Sequence, residues 1–511
     1  MSDNCNAKLL FFALVFFGFA GGGIGVASAA ALDGDLQGFT SFIRDPMFGK
    51  PAIWRRGDNA TKSITLDAAY GAPDAESWSV TLQKANGPAQ LAFELGVESV
   101  QERQGRVLLQ VRVPGSLPED LYDLSVAARK GGELIASTQP NSVSIIAALK
   151  TSYSIAHVTD IHADDPRGLL LNFSESIGYA FIKKMIRMVN LINPAFVVMT
   201  GDHVFGNAYW YEYAHLYEVL QGFDVPIFMA IGNHDAINHA YWHADNRIDG
   251  MQAFQDLFAP LTYAVRYGSL EYITLNSMDW SAFQRRGAGI VNIHFNGRLG
   301  EEQLDWYEEQ LAASEASLIV AGLHHPPHNS FGGPGAERFM ELSAEYGVEA
   351  VVAGHTHGND VIIIEGVRYI TTTSLAFSGI PGSSRAFRLL KIENDELAAW
   401  NYEEPDVPLP LYRQGPQWSM TDPALFCSYS PANDGAATAI TATIENHLQA
   451  DLEGLSLELY VRAPAAGSTY AVSGAEVVET CTAGDVQIWY VRADVGAETV
   501  KEVKIDVMGG E

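Results

Sequence analysis

Val351-Val352-Ala353-Gly354-His355-Thr356-His357 is an apolar run that ends in glycine and then in metal-binding residue types. Four other segments share the form. They are Ile155-Ala156-His157-Val158-Thr159-Asp160-Ile161-His162; Val197-Val198-Met199-Thr200-Gly201-Asp202; Ile227-Phe228-Met229-Ala230-Ile231-Gly232-Asn233-His234-Asp235; and Leu318-Ile319-Val320-Ala321-Gly322-Leu323-His324-His325-Pro326. In layered α/β proteins, ligands bind outside the carboxyl ends of strands, so these tails stand where a site would be built. Gly201, Gly232 and Gly354 let backbone and side chains crowd a small centre without Cβ clashes.

Around these segments the chain alternates strand-like and helix-like stretches from residue 151 to about 402, which predicts an α/β layered domain. A helix is expected over residues 175–190, where Ile177, Phe181 and Met185 recur at helical spacing, with Pro194 beyond its end. Tyr209, Tyr213, Leu216, Tyr217 and Leu220 fall on a helical stripe that reads first as core packing. Trp210 and Tyr211 remain candidate substrate contacts, and His239, Tyr241, Trp242 and His243 candidates for the pocket mouth.

Thirteen of the 14 histidines lie between His157 and His357. Asp160 and His162 are two apart, as are His355 and His357, so on an extended stretch each pair faces one way. Carboxylate, imidazole and amide ligands together suit first-row divalent metals such as Zn, Mn or Fe. Asp160, His162, Asp202, Asn233, His324, His355 and His357 are too many for one tetrahedral ion. They suit two metals that share a carboxylate. His157, His215 and His294 read as core histidines, while His203 and His325 adjoin proposed ligands and stay unassigned.

Asp-x-His, Gly-Asp, Gly-Asn-His-Asp, His-x-Pro and Gly-His-x-His in this order resemble the calcineurin-like metallophosphoesterase superfamily, over about 250 residues. Gly300-Glu301-Glu302-Gln303-Leu304-Asp305-Trp306 also resembles a helix start common there. The resemblance implies a four-layer α/β sandwich with Asp160, His162 and His357 on one metal. Asn233, His324 and His355 would hold the other, and Asp202 would bridge them. It also implies that His234 serves as general acid or phosphate contact, with Asp235 orienting it. A metal-bridging hydroxide would then attack a phosphate ester in line. Purple acid phosphatases carry Gly-Asp-x-x-Tyr; here the fifth residue is Phe205, so a tyrosinate–iron centre is not expected.

The flanks read differently. Residues 32–150 hold short strands divided by turn residues and predict a β-sandwich, in which Tyr122 could form a tyrosine corner. A proline-rich linker is expected over 403–420. Residues 421–511 predict a second β-sandwich, with Leu455, Leu457, Leu459 and Val461 alternating against Ser456, Glu458 and Tyr460. Residues 1–29 read as an export signal: Lys8, an apolar run from Leu9, the break Gly21-Gly22-Gly23 and the exit Ala27-Ser28-Ala29. A secreted or periplasmic protein follows, with no transmembrane segment in the mature chain; an uncleaved membrane anchor is the alternative. Cys427 and Cys481 would form one disulfide or serve as two buried small hydrophobes. Asn59-Ala60-Thr61 and Asn172-Phe173-Ser174 fit the glycosylation pattern.

Composition narrows the function. With 32 basic against 61 acidic residues, a formal charge of -29, the chain lacks the basic surface for nucleic-acid polymers or anionic membranes. The expected activity is an exported phosphoesterase that favours phosphodiesters, with a phosphomonoesterase as the alternative. From a different class, a non-catalytic surface-binding protein would keep only the metal centre. The flanking sandwiches read as structural support, or more sharply as modules for polymer or cell-surface contact.

Overall fold

The computed structural model describes residues 39, 41–58, 60–67, 77–165, 177–206, 209–238, 248–285, 296–375, 385–400, 408–413, 422–464 and 468–508. The expected export signal, Asn59, Asn172-Phe173-Ser174, the His239–His243 group, His294 and most of 403–420 lie outside them. Among the described residues, no helix is long and apolar enough to cross a membrane.

Two six-stranded sheets carry the five motif segments. In the first, Ile227–Ala230, Phe196–Thr200 and Tyr153–Val158 run parallel, and Ala386–Glu393 joins antiparallel before Glu396–Ala399. In the second, Leu270–Thr274, Leu318–Gly322, Ala350–Ala353 and Val367–Thr371 run parallel between the antiparallel edges Tyr263–Tyr267 and Asp360–Ile364. All five residues of Phe196–Thr200 and of Leu318–Gly322 are buried, as expected of parallel strands covered on both faces.

The expected helix is Ile177–Ile192, whose Phe181, Ile182, Met185 and Val189 are buried. Asn193 then turns into the left-handed region (φ 52°), a usual helix exit, one residue ahead of Pro194. Trp210–Leu220 forms a helix with Tyr213, Leu216, Tyr217 and Leu220 buried; Tyr209 caps it and is only partly buried. Glu301–Ala313 starts on Gly300, as the sequence suggested.

The N-terminal strands form one hydrogen-bonded path of eight. Ala92–Arg103 pairs through residues 92–95 with Ser79–Lys84 and through 96–103 with Arg106–Arg112, with a register shift between Val97 and Ser99. Such a strand passes from one sheet layer to another at a bulge. Tyr122 is fully buried, and its hydroxyl donates to the Pro118 carbonyl at 3.0 Å, the bond of a tyrosine corner.

The C-terminal strands form a four-stranded and a three-stranded antiparallel sheet. Leu455, Leu457, Leu459 and Val461 are buried, as their alternation predicts. The opposite face is not left to solvent: Tyr460 is also buried and packs with Ala89, Ile488 and Tyr490. Here Lys84 Nζ binds Asp120 and lies 2.9 Å from Glu458, while the Tyr490 hydroxyl donates to Asp120 at 2.7 Å. Burial disfavours a charged Lys84, but Asp120 and Glu458 outweigh it and raise its pKa. A cavity of about 470 Å³ at this junction is lined by Asn86, Asp224, Glu458 and Tyr490.

The structure bears on two other expectations. The 403–420 segment is not wholly a free linker: Leu409–Pro410 pairs with Ala386 and Phe387, and Leu409, Leu411 and Tyr412 are buried. Cys427 and Cys481 are free thiols on strands of different sheets.

Candidate metal centre

All five motif segments deliver their polar residues just past strand ends, three from the first sheet and two from the second. Asp160 and His162 follow Val158, Asp202 follows Thr200, Asn233 follows Ala230, His324 follows Gly322, and His355 and His357 follow Ala353. Every one of these seven except His355 and His357 is less than 5% exposed.

The expectation that Asp160 and His162 converge by extended alternation is corrected by their backbone. Asp160 (φ 52°), His162 (43°), Asp202 (52°), His355 (69°) and His357 (57°) are all left-handed. Non-glycine residues rarely adopt that conformation, and it persists where surrounding contacts enforce it, often at functional sites. Here the chain leaves the sheet before the ligand positions, and left-handed turns bring the side chains inward. Close backbone approach does the rest. A Cβ on Gly354 would lie 2.0 Å from Thr159 Oγ1 and 2.4 Å from Asp160 Oδ2. One on Gly232 would lie 2.2 Å from the Asp202 nitrogen.

The donor atoms fall into two groups. Asp160, His162, Asp202 and His357 form one, and His324, His325 and His355 the other; within each group the candidate atoms lie within 4.8 Å of one another. In the first group, His162 Nε2 and His357 Nε2 are 3.2 Å apart, and His357 Nε2 is 3.2 Å from Asp160 Oδ1. Among the described residues, Asp160 Oδ1 is buried without a hydrogen bond of good geometry. In the second, Asn233 Oδ1 lies 3.0 Å from both His324 Nε2 and His355 Nδ1. Asp202 Oδ2 stands between the groups, 3.2 Å from His324 Nε2 and 3.9 Å from His162 Nε2.

Electrostatics fit the same picture. Burial alone would raise both carboxylates, but His357 and His324 outweigh it at Asp160, and His324, His234 and His162 do so at Asp202. Both are held below the usual carboxylate range. Burial pushes His162 well down and His355 to about 3, which favours the neutral imidazole that a metal ligand must be. His324 goes the other way: burial opposes its charge, but Asp202 and Asp160 raise it to about 9. Buried carboxylates, an amide oxygen and facing imidazole nitrogens are a donor set for first-row divalent cations. A buried carboxylate oxygen among them that makes no hydrogen bond of good geometry within the described residues supports that fit.

A surrounding bond sets the orientation of the His324 ring. His324 Nδ1 donates to the Thr200 carbonyl at 2.7 Å. Such partners fix tautomer and aim in metal sites. The expected core role of His157 is what the structure holds: it is fully buried between the Thr200 and Thr372 hydroxyls, and burial together with Arg388 pushes it to about 3.

His234 sits at the edge of the cluster with its side chain 20% exposed. Its Nδ1 donates to the Phe205 carbonyl at 2.5 Å, and its Nε2 lies 3.9 Å from Asp202 Oδ2. Asp235 does not orient it directly. The Asp235 carboxylate accepts from the His203 ring, from the backbone nitrogens of His203 and Val204, and from that of Gly232. His203 and His325 are thus the two residues left unassigned by sequence. Each adjoins a candidate ligand, and that adjacency was the one available signal.

The model of the family described as calcineurin-like phosphoesterase matches residues 153–359, which span all seven candidate ligands. This part of the chain is similar to the calcineurin-like phosphoesterase family. Calcineurin-like phosphoesterases use two divalent metals, and the two donor groups can accommodate them. A probable cyclic nucleotide phosphodiesterase of Psychrobacter sp. (strain PRwf-1) is 28% identical over 193 residues, 36% of this chain and 53% of that protein. The chain therefore spans about half the length of that relative. Another, from Vesicomyosocius okutanii subsp. Calyptogena okutanii (strain HA), is 26% identical over 44% of this chain and 87% of that protein. Among solved structures, a purple acid phosphatase from yellow lupin (Lupinus luteus) seeds covers 77% of this chain and 71% of its own, at 14% identity and TM-score 0.41.

Proposed function

We propose that the chain is a binuclear metal-dependent hydrolase of phosphate esters, with phosphodiesters favoured. The observation that carries this reading is the convergence of six donor residues from two sheets around Asp202, with His234 beside them. Asp160, His162 and His357 would hold one cation, Asn233, His324 and His355 the other, and Asp202 both. When bound, two divalent cations supply Lewis-acid charge that polarises a phosphoryl group and acidifies water.

The remaining work belongs to the chain. The His234 ring, anchored through Nδ1 on the Phe205 carbonyl, turns Nε2 toward Asp202. A proton held at Nε2 is within reach of an ester oxygen seated on the cluster and can be given to a departing alkoxide. The names of the two relatives support the diester preference. The residue 1–29 composition supports export, and the flanking β-sheets support a four-layer catalytic domain between two β-sandwich domains, 32–150 and 421–511.

The test is hydrolysis of bis-p-nitrophenyl phosphate and p-nitrophenyl phosphate by protein stripped of metal and reloaded with Mn, Zn or Fe. Metal-dependent turnover favouring the diester is expected, and a monoester preference would replace that part of the reading. No turnover of either ester with two metals bound would overturn it in favour of a binding protein.

A further inference from the structure

We infer that His203, acting with Asp235, is a positioning residue that sets the aim of the His234 ring. The inference rests on the proposed acid role of His234. Asp235 is 1% exposed, and its carboxylate joins two loops. Oδ1 accepts from the backbone nitrogens of His203 (2.8 Å) and Val204 (3.1 Å) on the loop that carries Asp202. Oδ2 accepts from Gly232 nitrogen (2.8 Å), on the loop that carries His234, and from His203 Nδ1 (2.9 Å). Among the described residues, the His203 ring thus supplies the one side-chain donor on this carboxylate; the other three are backbone groups.

The ring is itself fixed. It is 1% exposed and stacks on Phe254, with centroids 6.0 Å apart and planes 25° apart. Its Nε2 is buried without a hydrogen-bond partner among the described residues. A buried unsatisfied nitrogen is costly, and an apolar side chain would pack there without that cost. What the imidazole alone provides is the Nδ1–H bond to Asp235. Two residues further on, the Phe205 carbonyl receives His234 Nδ1, and the His234 nitrogen donates to Asp202 Oδ1 at 2.8 Å. A shift of the 203–205 backbone against the 232–235 backbone therefore turns the His234 ring. The Tyr213 hydroxyl, donating to the Asp235 carbonyl at 2.7 Å, steadies the same loop from the Trp210–Leu220 helix.

The test compares His203→Ala with His203→Asn in the full chain; the asparagine amide reaches the position of Nδ1 and keeps the donor. The first readout needs no turnover. Proton exchange at His234 Nδ1, followed by NMR and assigned by its loss in His234→Ala, should quicken at least tenfold in His203→Ala. It should return to within threefold of wild type in His203→Asn. The second readout is kcat on the ethyl and p-nitrophenyl esters of whichever class wild type hydrolyses. Protonation by His234 matters more for the ethyl leaving group, so the ethyl to p-nitrophenyl ratio should fall at least tenfold in His203→Ala and recover in His203→Asn, with metal content unchanged. Exchange and ratio both unchanged in His203→Ala, or an asparagine variant as impaired as the alanine one, would overturn the inference. If His203→Ala does not fold, His203→Gln takes its place, since its longer side chain cannot set the amide at the Nδ1 position. Inactive wild type would instead count against the phosphoesterase reading, and the exchange readout would still decide the role of His203.

Discussion

His324 Nε2 lies 3.2 Å from Asp202 Oδ2, although the two residues leave strands of different sheets. Through Nδ1, His324 also holds the carbonyl of Thr200, the last residue of the strand before Asp202. One imidazole thus joins the carboxyl ends of both sheets at the centre of the donor cluster. Asp202 faces both donor groups, so its loss should disturb both.

Asp202→Ala is expected to reduce bound metal from two ions to at most one per chain. Activity should fall by more than the ~10–100-fold typical of changes to residues that merely support metal ligands. Elemental analysis beside the ester assay checks this; a variant that keeps two ions and near-full rate would remove Asp202 from the centre.

His234→Ala should leave the metals in place, because its Nε2 is 3.9 Å from the nearest carboxylate oxygen and the seven donors stand without it. Its loss should lower kcat by about 10²–10⁴-fold on alkyl esters, the usual range for a positioned acid. The effect on p-nitrophenyl esters should be much smaller. Equal rates on an alkyl ester would show that the ring does not serve as the acid.

Asp224 gives the fold a defined pH response. Its pKa is pushed up to about 8, first by burial and then by Glu458 and Asp120, with Lys84 opposing. From about pH 4 to about pH 8 the folded chain keeps a proton that the unfolded chain has released. The stability contributed by this group therefore falls as pH rises through that window and is level above it. Asp224→Asn should make the decline between pH 5 and pH 8 shallower, read from urea midpoints at each pH. Identical slopes in the two proteins would contradict the assignment.

Tyr122→Phe removes the hydroxyl that reaches the Pro118 carbonyl and leaves that buried acceptor unpaired. A loss of about 1–3 kcal/mol is expected. Urea unfolding followed through the N-terminal sheet, with an unchanged m-value, measures it. No change in midpoint would mean that the corner bond adds nothing to stability.

Much of the site was legible because its ligand types follow apolar strands directly in sequence. Asp160, Asp202, Asn233, His324 and His355 stand two or three residues past their strand ends, and that local pattern needs no knowledge of neighbours. The reason for their convergence was not legible. Extended alternation was the natural expectation for Asp160 and His162, but both are left-handed, held there by contacts such as His162 nitrogen to the Asp202 carbonyl (3.0 Å). His203 and Asp235 show the same limit: their 2.9 Å bond joins positions 32 residues apart.

By itself, the sequence determined the α/β alternation, the donor types and the inward faces of strands such as Leu452–Arg462, because periodicity and strand-end chemistry are local. Tertiary structure alone decided what covers the other face of that strand. Glu458 and Tyr460 look solvent-facing in a one-strand reading, yet Lys84 and Ala89 of the N-terminal segment lie against them. It also decided that Asp235 bonds His203 rather than His234. Which partner a polar side chain finds depends on distances between segments far apart in the chain, and no local pattern carries that information.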